Sequence, residues 1–170
     1  MSHFPLCLRL CLPRGRSAGV LLMVASVTIG GCSKHYIQNT DVEQTPDNKS
    51  VVEFCEVYRR AVERKDIPTL LQLASPEYYE DGGNIDASDD IDYAGLREYL
   101  TEKFDDAHAI RYEIRYRRIS HEDDYVYVDF TYSGSFRVPT ASGDKWRNAV
   151  EENRLELVAD GETFRIVAGM

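Results

Sequence analysis

Ile110-Arg111-Tyr112-Glu113-Ile114-Arg115-Tyr116-Arg117, answered a few residues later by Tyr125-Val126-Tyr127-Val128-Asp129-Phe130-Thr131-Tyr132-Ser133, is the stretch on which the fold turns. In the first run Ile110, Tyr112, Ile114 and Tyr116 alternate with charged residues, a period of two that puts one set inside and the other in water. In the second, Val126, Val128, Phe130 and Tyr132 alternate with Tyr127, Asp129, Thr131 and Ser133. Both read as long, half-buried antiparallel strands. The second run extends to Val138, and Gly134 marks a bulge or bend within it. Leu155 and Leu157 mark a third strand, Asp160-Gly161 a tight hairpin turn, and Thr163 to Val167 a returning strand with Phe164 and Ile166 on one face.

Upstream of this stretch the period changes from two to that of a helix. Ser50-Val51-Val52-Glu53 has the form of a capping box, and Val51, Cys55, Tyr58 and Val62 continue it as one apolar stripe. Cys55 is read as a small core residue. Asp66-Ile67-Pro68 opens a second, short helix carrying Leu70, Leu71 and Leu73, closed by Ser75-Pro76. Asp92 caps a third, with Tyr93, Leu96, Leu100, Phe104 and Ala107 at helical spacing to about Asp106. Helices followed by a meander of long strands make an α+β domain, with about three helices on a curved, mainly antiparallel sheet of four to five strands.

The first thirty or so residues do not belong to that domain. Arg9, Arg14 and Arg16 precede an apolar run from Ala18 to Ile29, and the small pair Gly30-Gly31 follows, the three-part layout of a secretory signal. As a helix that run rises only about 18 Å, short of the ~30 Å hydrocarbon core. Its end, Ile29-Gly30-Gly31-Cys32, resembles the bacterial lipobox, which implies cleavage before Cys32, lipidation of Cys32 with palmitate-type acyl chains, and anchoring to a membrane. Several chains hold a protein stably, at about 0.8 kcal/mol per buried CH₂. Ser33 stands where the enterobacterial sorting scheme, which this segment resembles, places aspartate for inner-membrane retention. The expected location is therefore the outer membrane, with the domain exported to the envelope or periplasm. The three divisions are a signal peptide (1–31), a lipidated cysteine with a flexible polar tether (32–49), and the domain (50–170).

Losing residues 1–31 removes three of 20 basic residues and none of 29 acidic ones, leaving 17 against 29 and a net charge of −12. Apart from the arginines in RYEIRYRR (111–118), such a chain lacks the clustered Lys and Arg that phosphate-backbone binding needs, so nucleic acid is not an expected partner. With Cys7 and Cys11 in the signal and Cys32 consumed by lipid, Cys55 stands alone. No internal disulfide and no cysteine-based metal site is then available.

Two segments, FCEVYRRAVERKDIPTLLQLASPEYYED (54–81) and GETFRIVAGM (161–170), together with the order and length of the elements, resemble the NTF2-like superfamily, including its SnoaL-like members. The resemblance covers residues 50–170. It implies a cone in which a curved sheet wraps a long helix, with a pocket at the open end. Some members are isomerases, dehydratases or cyclases that use an Asp, His or Tyr in the pocket; many bind ligands or partners without catalysis, and some pair through the sheet. The histidines after the tether are His108, beside the end of the third helix, and His121, in an expected hairpin turn, and a central Asp-His pair is not evident.

Three groups of residues are candidates for chemistry. Tyr78, Tyr79 and Asp81 follow the second helix, where this fold often lines its pocket. A Tyr beside a carboxylate could hold a carbonyl or enolate oxygen, and two aromatics packing a helix-to-sheet junction are the structural alternative. Tyr127, Asp129 and Thr131 share one face of a central strand. On a concave face Asp129 is a desolvated base with a raised pKa; on a convex face the three are a solvated polar stripe. The acidic loop DGGNIDASDDID has oxygen ligands at alternate positions, Asp86, Ser88, Asp90 and Asp92, but lacks the glycine and glutamate of a calcium loop and reads as solvated surface. No cofactor and no metal is expected. The leading expectation is a noncatalytic lipoprotein that binds a small molecule or an envelope protein. The alternatives are a small pocket enzyme of the isomerase or dehydratase type and a structural module that forms a homodimer.

Overall fold

The computed structural model describes residues 34–82 and 87–170. The expected signal segment, the expected lipidation site Cys32 and residues 83–86 of the acidic loop, Asp86 among them, lie outside the described residues. Residues 33–170 make one compact unit. In chain order its elements are α1 (Pro46–Arg64), α2 (Ile67–Leu73), β1 (Tyr79–Glu80), β2 (Ile91–Asp92), α3 (Tyr93–Asp105), β3 (Ala109–Glu122), β4 (Tyr125–Val138), β5 (Lys145–Asp160) and β6 (Thr163–Ala168).

β3 to β6 form one antiparallel meander in sequence order, and β1 and β2 pair separately as a small antiparallel ribbon. Register fixes the faces. Tyr116 lies opposite Phe130, and Val128 lies opposite Leu155, so these side chains share the inner face. That face meets Val51, Cys55 and Tyr58 of α1, Leu70 of α2, and Leu96 and Leu100 of α3, all buried. Each large apolar side chain so buried contributes roughly 1.5–3 kcal/mol. The helical stripe and the strand alternation thus close on one core, and the α+β architecture expected from periodicity is the one present.

β3 has a bulge between Tyr116 and Arg118, which turns Ile119 back to the inner face opposite Val128. Gly134 pairs with Tyr112 and Ala149 without a register shift. Its missing side chain serves packing instead, because a Cβ there would stand 2.6 Å from the Phe136 ring. Both two-residue turns, Asp123-Asp124 and Gly161-Glu162, carry a positive φ at their first residue, 51° and 63°. His121 is therefore the penultimate residue of β3, not part of the turn.

The start of the domain differs from the sequence reading. α1 is capped by Thr45, whose Oγ1 accepts from the Asn48 amide at 3.1 Å, with Pro46 opening the first turn. Ser50 lies inside the helix, where its hydroxyl donates to the Pro46 carbonyl at 3.2 Å. Thr-Pro-Asp-Asn is itself a strong start signal, since proline is preset for a first helical turn, and it takes precedence over the capping box that follows. Residues 34–45, expected as tether, fold as a small hairpin-like segment. Tyr36 bridges Glu43, Val42 is buried, and the Asp41 amide donates to the Tyr116 carbonyl at 2.9 Å on the open edge of β3.

At the other end of α1, Lys65 adopts a left-handed conformation at φ 55°. Its ammonium donates to the carbonyls of Phe104 and Ala107 at 3.0 and 2.8 Å, placing a cation on the negative end of α3.

Candidate functional site

The inner face of the cone is where a pocket is expected, and it is largely filled with aromatic side chains. Tyr58, Tyr78, Tyr112, Tyr116, Phe104 and Phe130 are all buried there. Burial pushes the Tyr58, Tyr78, Tyr112 and Tyr116 phenols up, so all four stay protonated at neutral pH. Their hydroxyls have structural partners: Tyr58 meets Tyr112, Tyr116 donates to Glu56 Oε1 at 3.0 Å, and Tyr78 accepts from the Met170 amide at 3.2 Å.

The expected group at 78–81 does not converge. Tyr78 points into the core, and Tyr79 is 53 % exposed, with its hydroxyl donating to Asp90. That bond to Asp90, followed by burial, raises the Tyr79 phenol. Asp81 is exposed. Of the three only Tyr79 lies in a strand, the two-residue β1, and Tyr78 and Asp81 flank it in irregular backbone. The residue that does act here is Glu80, whose carboxylate accepts from the Gly169 amide at 2.6 Å and ties the chain terminus to β1.

Tyr127, Asp129 and Thr131 lie on the outer face, opposite Val128 and Phe130. Asp129 is held by Arg154 at 2.7 Å and Arg118 at 2.8 Å. The Arg154 hydrogen bond, with Arg118 behind it, keeps this carboxyl below the usual aspartate range, outweighing partial burial. A carboxylate stabilised in its charged form by two guanidiniums is a poor base, so the concave alternative for Asp129 is excluded by its placement. Tyr127 stacks on Tyr125 with centroids 6.2 Å apart, and the Arg154 guanidinium lies 5.4 Å from its centroid.

The remaining outer face has the same character. Arg111 lies 4.8 Å from the Trp146 ring centroid, and Trp146 and Val150 are 45 % and 69 % exposed. Beside them a groove of about 740 Å³ runs from Glu56 and Arg59 past Ile114, Arg115 and Arg117 to Ser133 and Val150. Two of its lining residues, Arg115 and Arg117, pair with Asp41 at 2.7 Å and 2.9 Å, and hydrogen bonds from them hold the Asp41 carboxyl low. Sequence inspection missed Asp41 because its partners lie over seventy residues away.

One inward polar pair sits near the rim. The Tyr132 ring packs against that of Tyr112 at a 34° tilt and its hydroxyl donates to Glu151 Oε2 at 2.6 Å, and burial followed by that bond pushes its phenol up to about 12. Among the described residues no group of three or more His, Cys, Asp or Glu is placed to hold a metal, and no helix is long and apolar enough to cross a membrane.

No protein-family model matches the chain and no curated protein matches it. Solved structures do. A protein of the NTF2-like family from Streptomyces avermitilis, proposed to be a dehydratase, superposes with a TM-score of 0.61 at 13 % identity, over 74 % of this chain and 95 % of its own. An NTF2-like superfamily protein from Salmonella enterica gives 0.58 at 13 % identity, over 71 % and 86 %. The domain has the NTF2-like fold. A Kribbella flavida protein gives 0.60 at 13 % identity over 72 % and 87 %. At such identities the likeness is one of backbone, and the NTF2-like cone of this chain carries its own side-chain chemistry.

Proposed function

We propose that this is an envelope lipoprotein, anchored through Cys32, whose NTF2-like domain is noncatalytic and binds a protein partner across the outer face of its sheet. The carrying observation is the distribution of side chains between the two faces. The inner face is packed with protonated tyrosines bonded to structural partners, and Asp129 is salt-bridged outside. The outer face carries Trp146, Tyr125, Tyr127, Arg111, Arg115, Arg117 and Arg154. Trp, Tyr and Arg are the residue types that dominate binding energy at protein interfaces. Val150 adds an exposed apolar centre beside the groove. A second copy of the chain is one such partner.

A small-molecule reading rests on the Tyr132-Glu151 pair at the rim, which offers a half-exposed aromatic and an acceptor. The enzyme reading, of the dehydratase kind proposed for the Streptomyces relative, requires an inward acid or base with a free cavity before it, and the filled inner face argues against it.

Photo-crosslinking in intact cells tests the proposal. A crosslinking residue in place of Val150 is expected to give a discrete higher-mass species, and one in place of exposed Asp105 on α3 is not. Equal or absent crosslinking at the two positions would remove the outer face as a binding surface.

A further inference from the structure

Residues 34–45 are bound into the domain rather than trailing from it. The Ile37 amide donates to Val42 at 2.9 Å, the Gln44 amide to His35 at 2.7 Å, and Asp41 is fastened to β3 through both its amide and its carboxylate. Lys34, the first described residue, pairs with Glu43 at 3.4 Å, and Glu43 in turn accepts from the Asn48 side chain in the first turn of α1 at 2.9 Å. If the chain is anchored at Cys32 as proposed above, only Ser33 separates the lipid from this docked segment. Consecutive Cα atoms are 3.80 Å apart, so Lys34 stays within about 8 Å of the lipidated residue.

We propose that the anchored domain is held on this short leash in one orientation, with the α1 N-terminus and two hairpin tips toward the phospholipid surface and the 140–144 loop away from it. The proposal rests on the anchoring reading and adds to it which end of the domain meets the bilayer.

The ends are set by the fold. Asp47 and Ser50 of α1 line one groove together with Asp123 and Asp124 of the β3-β4 turn, Gly161 and Glu162 of the β5-β6 turn, and the strand residues Tyr125 and Thr163 that follow them. The start of α1 and both tips are therefore at one end. α1 has 19 residues, which at 1.5 Å per residue carries it about 28 Å to the other end. There Lys65 meets Phe104 and Ala107, the His108 amide donates to Arg137, and β5 begins with Lys145 and Trp146.

Charge refines the picture. Asp47, Asp123, Asp124 and Glu162 crowd the membrane-facing end, so anionic headgroups repel it. The Debye length at physiological salt is about 8 Å, comparable with the leash, so repulsion and tether act over the same range. The leash imposes proximity that charge opposes, and that proximity does not depend on electrostatic attraction. The outer face, with Trp146 at the far end, then meets its partner from the aqueous compartment.

The test uses the full chain, matured in a bacterial host and added to preformed phosphatidylcholine vesicles that carry a headgroup quencher. A fluorophore is attached through Glu162→Cys at a tip or Ser142→Cys at the far loop, with Asp124→Cys as a second tip position if the first folds poorly. Cys55 is buried and does not compete for the label. The mass of the matured chain and its flotation with vesicles are recorded first. Acylated, floating protein with the tip label quenched several-fold more than the loop label, unchanged in high salt, supports the orientation. A 20-residue Gly-Ser insertion after Ser33 is expected to abolish the difference. Acylated, floating protein with both labels quenched equally overturns the orientation and leaves the anchor standing. A chain unmodified at Cys32 that does not float overturns both.

Discussion

Two residues carry the contrast between the faces, and each can be tested alone. Gly134 lies on the inner face, where any Cβ would meet the Phe136 ring at 2.6 Å. Gly134→Ala is expected to destabilise the domain by about 1–3 kcal/mol through overpacking, read as a lower urea midpoint. The loss should shrink in a Phe136→Leu background, where the ring is gone. On the outer face, Asp129 is held in its charged form by Arg154 and Arg118. A carboxyl with a folded pKa below its unfolded value of about 3.9 stabilises the fold above that pH and loses the contribution as pH falls through the folded value. Asp129→Asn should therefore cost roughly 1 kcal/mol or less at neutral pH and flatten the acid limb of the stability profile below about pH 4. If Asp129 were instead a desolvated base with a raised pKa, the Asn variant would match or exceed the native chain in stability at neutral pH.

At the scale of elements, the start of α1 separates what sequence could reveal from what it could not. Thr45→Ala should cost about 1 kcal/mol, the usual loss of an N-cap, and Ser50→Ala should change little, as measured by thermal melts of both variants. The reverse ranking would restore the capping box at Ser50. Strand alternation made β3 and β4 legible because each has one face in the core and one in water, and the apolar stripe of Val51, Cys55 and Tyr58 did the same for α1. The segment at 34–45 was illegible for the opposite reason. It contributes only Val42 and Ile37 to the core, and its main ties, the Asp41 amide to Tyr116 and its carboxylate to Arg115 and Arg117, join residues that no local period connects. The candidates at 78–81 do not converge because Tyr78 turns into the core from irregular backbone ahead of the two-residue β1, which no sequence period marks, and the face of Asp129 depended on curvature, which alternation alone leaves open. Glu80, Lys65 and the Tyr132-Glu151 pair had no sequence signature.

At the scale of the whole molecule, the interior of the cone buries the tyrosine side chains, and the binding surface proposed above lies on its exterior. The backbone has the NTF2-like fold, and Tyr58, Tyr78, Tyr112, Tyr116 and Phe130 are buried in its interior. On the function proposed above, recognition would pass to the Arg, Tyr and Trp side chains of the outer sheet, and the anchor at Cys32 would set how that face is presented. A native mass spectrum of the matured chain tests this division most directly. A spectrum in which each copy of the chain carries no additional small-molecule mass is the predicted result. A stoichiometric extra mass, retained in the native state and lost on denaturation, would contradict it by revealing an occupied internal pocket.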